Sequence, residues 1–210
     1  MEEDYKSKLE DLSEIRAIME RSTKLISLSG LSGVGAGLVA LIGAWVAWRY
    51  LMGEGLYEGL KSREYLMVSH KQLYTMIGLA LGIMAVAGSV ASFFSMRLAR
   101  KRGLPIWNKT AKAMLIQLSV PLITGAIVCV LLAVYGRGSL VTPATLIFYG
   151  LALFSAGQHT HREIQLLGLS EIVLGILGAI YLGYGLLIWA IGFGVLHILY
   201  GVVMYFRYER

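Results

Sequence analysis

The chain has 210 residues, of which 57% are hydrophobic and only 15% charged, and its mean hydropathy is +0.67. A soluble domain carries roughly a quarter charged residues, so this composition excludes an ordinary water-soluble globule and leaves a membrane chain. The formal net charge is +6 and there is one cysteine, which excludes an internal disulfide and a multi-cysteine metal site.

A bilayer core of about 30 Å takes about 20 apolar residues per helix. Segments 25–51, 73–96, 113–135, 140–158, 166–183 and 186–206 meet that requirement. The expected fold is therefore all-α: a polytopic membrane protein with a six-helix transmembrane domain over 25–210, preceded by an arm over 1–24.

In the arm, Tyr5, Leu9, Leu12, Ile15 and Met19 recur near the helical period with charges on the other face, which predicts an amphipathic cytoplasmic helix. The arm lacks a basic n-region, a short apolar core and a small-residue cleavage site, so no cleaved signal peptide is expected. The first span closes on Trp45, Trp48 and Tyr50, the last is flanked by Tyr184 and Trp189, and the chain ends on Tyr205, Phe206 and Tyr208. Aromatic rings of this kind anchor at membrane interfaces.

Basic residues set the orientation. With both termini inside, fourteen Lys and Arg lie on the cytoplasmic side, six of them from Arg97 to Lys112. The outside keeps Arg49, Lys61, Arg63, Lys71 and Arg137. This asymmetry satisfies the positive-inside rule for a multi-pass protein with both termini cytoplasmic. The basic run faces anionic lipid head groups; no nucleic-acid partner is expected.

Internal similarity runs through the spans. "GLSGVGAGLVAL" from Gly30 aligns without a gap with "GLSEIVLGILGA" from Gly168, matching Gly37 with Gly175. Residues 77–81 match 149–153, and 193–197 follow more loosely. Equivalent spans run in the same direction, which suggests three pseudo-repeated parallel hairpins.

The stretch "GLSEIVLGILGAIYLGYGLLIWAIGFGVLHILYGVVMY" resembles the repeating hairpins of the HdeD-like six-span bacterial membrane proteins. Through "KRGLPIWNKTAK", "LIFYGLAL", "EIQLLGLSEIVLG" and "IGFGVLHILYG", the whole chain also resembles a group of functionally uncharacterised six-span bacterial inner-membrane proteins. The HdeD-like resemblance implies at most an association with acid resistance, and it carries no functional residues over to this chain.

One intramembrane pair stands out. Gly168, Glu171, Gly175 and Gly178 share a face of the fifth span, as do Ala190, Gly194, His197 and Gly201 in the sixth. A turn centred near Tyr184 pairs Gly168 with Gly201, Glu171 with His197, Gly175 with Gly194 and Gly178 with Ala190. Small faces let helices approach closely in lipid, and a mid-helix carboxylate costs about 2.5 to 3.5 kcal/mol unless paired. The pair reads either as a polar clamp fixing register or as a protonatable site. Gly30, Gly33 and Gly37 form the corresponding packing face of the first span.

Other candidates are weaker. His159, His161 and Glu163 in "QHTHRE" suggest a metal site, but two histidines two apart do not share a helix face, and catalytic zinc normally takes three protein ligands. His70 is expected to be exposed, Cys129 a small buried hydrophobe, and Pro121 a kink satisfied by Ser119 and Thr124. With no nucleophile beside a base and no phosphate loop, no enzyme, metal or cofactor is expected. The leading functional expectation is a non-enzymatic membrane protein with a packing, partner-binding or stress-related role, its partners being the bilayer, a second copy or another membrane protein. The alternative is a small channel or transporter for protons or a small solute, using Glu171 and His197.

Overall fold

The computed structural model describes residues 29–55, 69–103, 105, 107, 109–158 and 160–210. The amphipathic arm, the first four residues of the first expected span, the outer loop with Lys61 and Arg63, and His159 lie outside the described residues.

The described chain is helical throughout and contains no strand. It forms α1 (Gly30–Gly53), α2 (His70–Lys101), α3 (Lys109–Val134), α4 (Val141–Gly157) and α5 (Arg162–Ile180). The last span is composite. It consists of α6 (Gly185–Trp189), a π-helical segment Ala190–Leu196, α7 (His197–Met204) and a π-helical end Tyr205–Glu209. Six helices are thus long and apolar enough to cross a membrane, so this is a multi-pass membrane protein.

Local chemistry explains where the helices start and stop. Helix α2 begins three residues before the apolar segment because Ser69 and Gln72 form a capping box, the Gln72 amide donating to Ser69 Oγ at 3.3 Å and the Ser69 amide to Gln72 Oε1 at 3.0 Å. Helices α1 and α2 each give way to a glycine with positive φ, Gly55 at 68° and Gly103 at 64°, a conformation that other residues adopt only with strain. Pro121 lies inside α3. Ser119 and Thr124 donate to the carbonyls of Ile116 and Val120, each at 2.9 Å. A proline frees the carbonyl four residues before it, that of Gln117, so these hydroxyls do not satisfy the group the ring releases.

Two helix pairs make the closest contacts, and neither is the expected fifth-to-sixth glycine seam. Helix α1 lies on the last span: a methyl added at Gly33 would sit 3.1 Å from Gly201 Cα, and one at Gly37 2.6 Å from the Gly194 carbonyl. Helix α5 lies on α4, where a methyl at Gly168 would sit 2.7 Å from the Gly150 carbonyl and one at Gly175 2.6 Å from Ile147. Gly178 faces Pro143 and Ile188, and Gly194 faces Leu41. A methyl at Gly30, Gly33, Gly37, Gly168, Gly175, Gly194 or Gly201 would come within 3.1 Å of a neighbour, while one at Gly178 would make ordinary contact at 3.4 Å. The atoms nearest Gly168, Gly175 and Gly178 are not those of Gly201, Gly194 and Ala190, the partners expected from spacing. Spacing within a helix reveals a close-packing face; it does not reveal which neighbour fills it.

The same pairing limits the picture of three equivalent hairpins. Helices α1 and α2 pack together, as do α3 and α4, but α5 packs most extensively on α4 and α7 on α1. The core is therefore α1, α4, α5 and the last span, with α2 lying chiefly on α1 and α3 chiefly on α4. Both flanking helices are largely exposed.

Candidate functional site

Glu171 lies on the buried face of α5 with Ile164, Leu167, Gly168, Gly175 and Gly178. His197 is the first residue of α7, directly after the π-helical segment. The two side chains face each other across the α5 and last-span contact, with Nδ1 of His197 3.4 Å from Oε1 of Glu171. Glu171 is fully buried and His197 is 6% exposed.

A third residue completes the constellation. Tyr149 of α4 places its hydroxyl 2.8 Å from His197 Nε2. The other ring nitrogen, Nδ1, lies 3.1 Å from the carbonyl oxygen of Gly192, which can only accept. The Nδ1 atom therefore carries the proton, and in the neutral ring Nε2 accepts from Tyr149. This tautomer is assigned from the hydrogen-bond network.

The imidazole is thus held at both nitrogens, and neither Glu171 oxygen has a hydrogen-bond partner among the described residues. Gly192 makes room for the carboxyl group: a methyl there would run into Glu171 Oε2 and come 2.6 Å from Leu146 Cδ2. A wide π turn places Gly192 five residues before His197, so its carbonyl meets the imidazole. Aromatic contacts support the ring. Phe193 stacks with His197 at 5.9 Å and 14°, Tyr149 lies 4.8 Å from Phe193, and Trp189 lies 4.9 Å from Phe193.

Sequence spacing reaches Glu171 and His197 but not Tyr149, Gly192 or the π-helical turn. The available signal for Tyr149 was a hydroxyl-bearing ring at mid-span beside Gly150, in a segment already matched to Phe193 and Gly194. Nothing in local periodicity marks a π-helical turn.

The other candidates are engaged elsewhere. The His161 and Tyr208 rings lie 4.4 Å apart, tilted by 35°. Glu163 pairs with Arg207 Nη1 at 2.7 Å and accepts from the Tyr208 hydroxyl at 3.0 Å. Among the described residues, no three His, Cys, Asp or Glu side chains cluster as a metal site would need. Cys129 is only partly buried, its thiol 3.9 Å from the Val141 carbonyl.

The C-terminal segment forms a second polar cluster at one end of the bundle. Glu209 accepts from the Gly30 amide and, at 3.2 Å, from Ser29 Oγ, capping α1 where Ser29 itself supplies no cap. Arg102, just past α2, donates to the Tyr208 carbonyl. With the Glu163 contacts at the start of α5, three helix ends are tied to the last span.

Fold and site together define a multi-pass helical membrane protein with a buried carboxyl group and imidazole and a partly buried phenol where three of its core helices meet. No family model, no curated protein and no solved structure matches the chain.

Proposed function

We infer that this chain is a non-enzymatic, proton-responsive integral membrane protein, and that proton uptake and release at Glu171 and His197 accompanies movement of protons or a small solute across the bilayer. One observation carries this reading: Glu171 is sealed from solvent with both oxygens unbonded, while the His197 proton that could bond it lies nearer the Gly192 carbonyl. A structural clamp would spend that proton on the carboxylate, because an unpaired buried charge is costly. A group that must alternately hold and release a proton is better served by a weak, adjustable partner. Tight packing at Gly192 leaves no space for a methyl beside Oε2, which favours a proton over a larger ligand at the carboxyl itself.

Placement in a bacterial inner membrane rests on the resemblance to six-span bacterial inner-membrane proteins, and the cytoplasmic position of both termini is supported by the excess of basic residues on that side. That position is also supported by the gathering of the α1 start, the α2 end and the C-terminus at one end of the bundle. No cofactor is invoked, and the surrounding partner is lipid.

The test is flux in proteoliposomes under an imposed pH gradient, first with protons and then with common ions. Wild-type protein should give a flux above empty vesicles, and Glu171→Gln, which cannot titrate, should abolish it while retaining the folded elution profile. Equal flux in the two proteins would remove this reading.

A second reading, a packing, partner-binding or stress-related role, is favoured by one feature of α2. Gly78 and Gly82 are exposed, and a methyl at either would meet nothing within 4 Å. Ala85, Ser89 and Ser92 continue the same exposed face at a three-four spacing suited to helix association, with a second copy or another membrane protein. The HdeD-like resemblance supports the stress-related form of this reading. Cross-linking through a cysteine at position 82 in membranes tests it; a monomer throughout would remove the second-copy form.

A further inference from the structure

Building on the proton-responsive reading of Glu171 and His197, we propose that Tyr149 is the third working member of the site and that Glu171, His197 and Tyr149 form a one-proton relay with two protonation states that differ in the tautomer of His197. The three side chains come from α5, the last span and α4, so the relay joins three of the four core helices.

The ground state follows from the distances. Gly192, whose carbonyl only accepts, holds the ring proton on Nδ1, and Tyr149 donates to the bare Nε2. In the transfer, the Tyr149 O–H turns away from Nε2, and a proton taken up from outside the triad binds there and gives an imidazolium. The Nδ1 proton then passes to Oε1 of Glu171. What remains is a neutral imidazole protonated at Nε2, now donating to the Tyr149 oxygen, and a neutral carboxyl group whose O–H faces Nδ1. One proton is gained at Nε2, one is lost from Nδ1, and the net charge of the triad rises by one.

Each state leaves a different group unsatisfied. In the first, both Glu171 oxygens lack partners. In the second, Glu171 is bonded, but the bare Nδ1 faces the Gly192 carbonyl, two acceptors opposed. Neither arrangement satisfies every group, so the pair of states is poised to interconvert. Tyr149 is a positioning residue: its hydroxyl can donate in one state and accept in the other, which no apolar side chain can do.

The ionisable groups around the triad are few. Helix α5 contributes Glu171, α4 contributes Tyr149, and the last span contributes His197 together with Tyr200, which packs beside Tyr149 on the Leu153, Ile164 and Leu167 cluster. Helix α1 presents Gly33, Gly37 and Leu41 to the last span, none of which titrates.

The experiment uses the full chain in lipid nanodiscs. Histidine 15N resonances report the tautomer, and the infrared carbonyl band of a protonated carboxyl group reports Glu171, identified by its loss in Glu171→Gln. In wild type, His197 should pass from the Nδ1–H to the Nε2–H form in step with the rise of the Glu171 band as pH falls. Tyr149→Phe, which keeps the ring against Phe193, should uncouple the two signals and shift the Glu171 midpoint by about tenfold in proton concentration, the scale of one net hydrogen bond. Coupled signals with an unshifted midpoint in Tyr149→Phe would overturn the proposal. So would an Nε2–H form of wild-type His197 while Glu171 is ionised, a result that decides the matter even if Tyr149→Phe does not fold. Coupled titration without vesicle flux would leave the relay standing and remove the transport reading; flux without coupled titration would do the reverse.

Discussion

At the scale of single residues, burial and hydrogen bonding make different demands on Glu171 and on the glycines. Glu171→Gln removes a group whose ionised form is costly to bury and supplies an amide that can bond a neutral imidazole. The variant should unfold in detergent at a temperature no lower than wild type, and the dependence of that temperature on pH should flatten; circular dichroism melts at several pH values check both. A double-mutant cycle with His197→Ala should return a coupling of about 0.6 to 2 kcal/mol, the range for polar contacts between membrane helices. A coupling of zero would mean that the 3.4 Å approach has no energetic content.

The glycines permit a sharper contrast. A methyl at Gly150 would lie 2.5 Å from the Gly168 carbonyl, whereas one at Gly78 meets nothing within 4 Å. Gly150→Ala should therefore destabilise by about 1 to 3 kcal/mol through overpacking against backbone. Gly78→Ala in a monomeric preparation should stay within about 0.5 kcal/mol of wild type. Equal effects at both positions would contradict the packing of α4 against α5.

At the scale of elements, the composite last span and the C-terminal cluster matter most. A π-helical segment costs hydrogen-bond geometry and persists where something else is gained; here it sets the Gly192 carbonyl against His197 and Phe193 beside the imidazole. At the other end of the span, Glu209 supplies the carboxylate that α1 lacks at its N-terminus, where negative charge also complements the helix dipole. Glu209→Ala should raise amide exchange over the first turn of α1 by an opening free energy of about 0.5 to 2 kcal/mol, typical of a lost cap. Exchange in the middle of α4 should not change. The Arg207 and Glu163 pair should matter less, since Arg207 is 64% exposed at its side chain and solvent screens such pairs.

At the scale of the molecule, the helix ends sort into two groups. Ser29, Arg102, Glu163 and Glu209 meet at one end, while Glu54 and Gln72 meet at the other through a 3.0 Å hydrogen bond. Single cysteines at positions 102 and 210, in a background with Cys129 replaced, should react with a membrane-impermeant reagent from the same side. A cysteine at position 54 should react only from the opposite side. The proposed orientation puts the first side in the cytoplasm, from the basic-residue distribution, so labelling of position 102 from outside intact cells would overturn it.

Much of this architecture is legible without coordinates, because lipid imposes its demands one segment at a time. A helix must be apolar for about 20 residues whatever it packs against, so composition and segment length by themselves determine the helical, six-span class. Local chemistry likewise marks Glu171 and His197 as costly and the glycine stripes as close-packing faces. Partner choice is another matter. Glycine stripes on α1, α4, α5 and α7 are mutually compatible, and backbone approach between any two would satisfy the same local rule. Only tertiary packing decided that Gly168 meets Gly150 and that Gly201 meets Gly30, because a stripe's partner depends on which helices the whole bundle sets side by side. The same packing brought Tyr149 to the far side of the imidazole and turned the Gly192 carbonyl toward it. Those two contacts lie 48 and five residues from His197 along the chain. The first is beyond any local periodicity and the second depends on a π-helical turn that no local spacing encodes, so the site's third member and its poised hydrogen bonding belong to the fold alone.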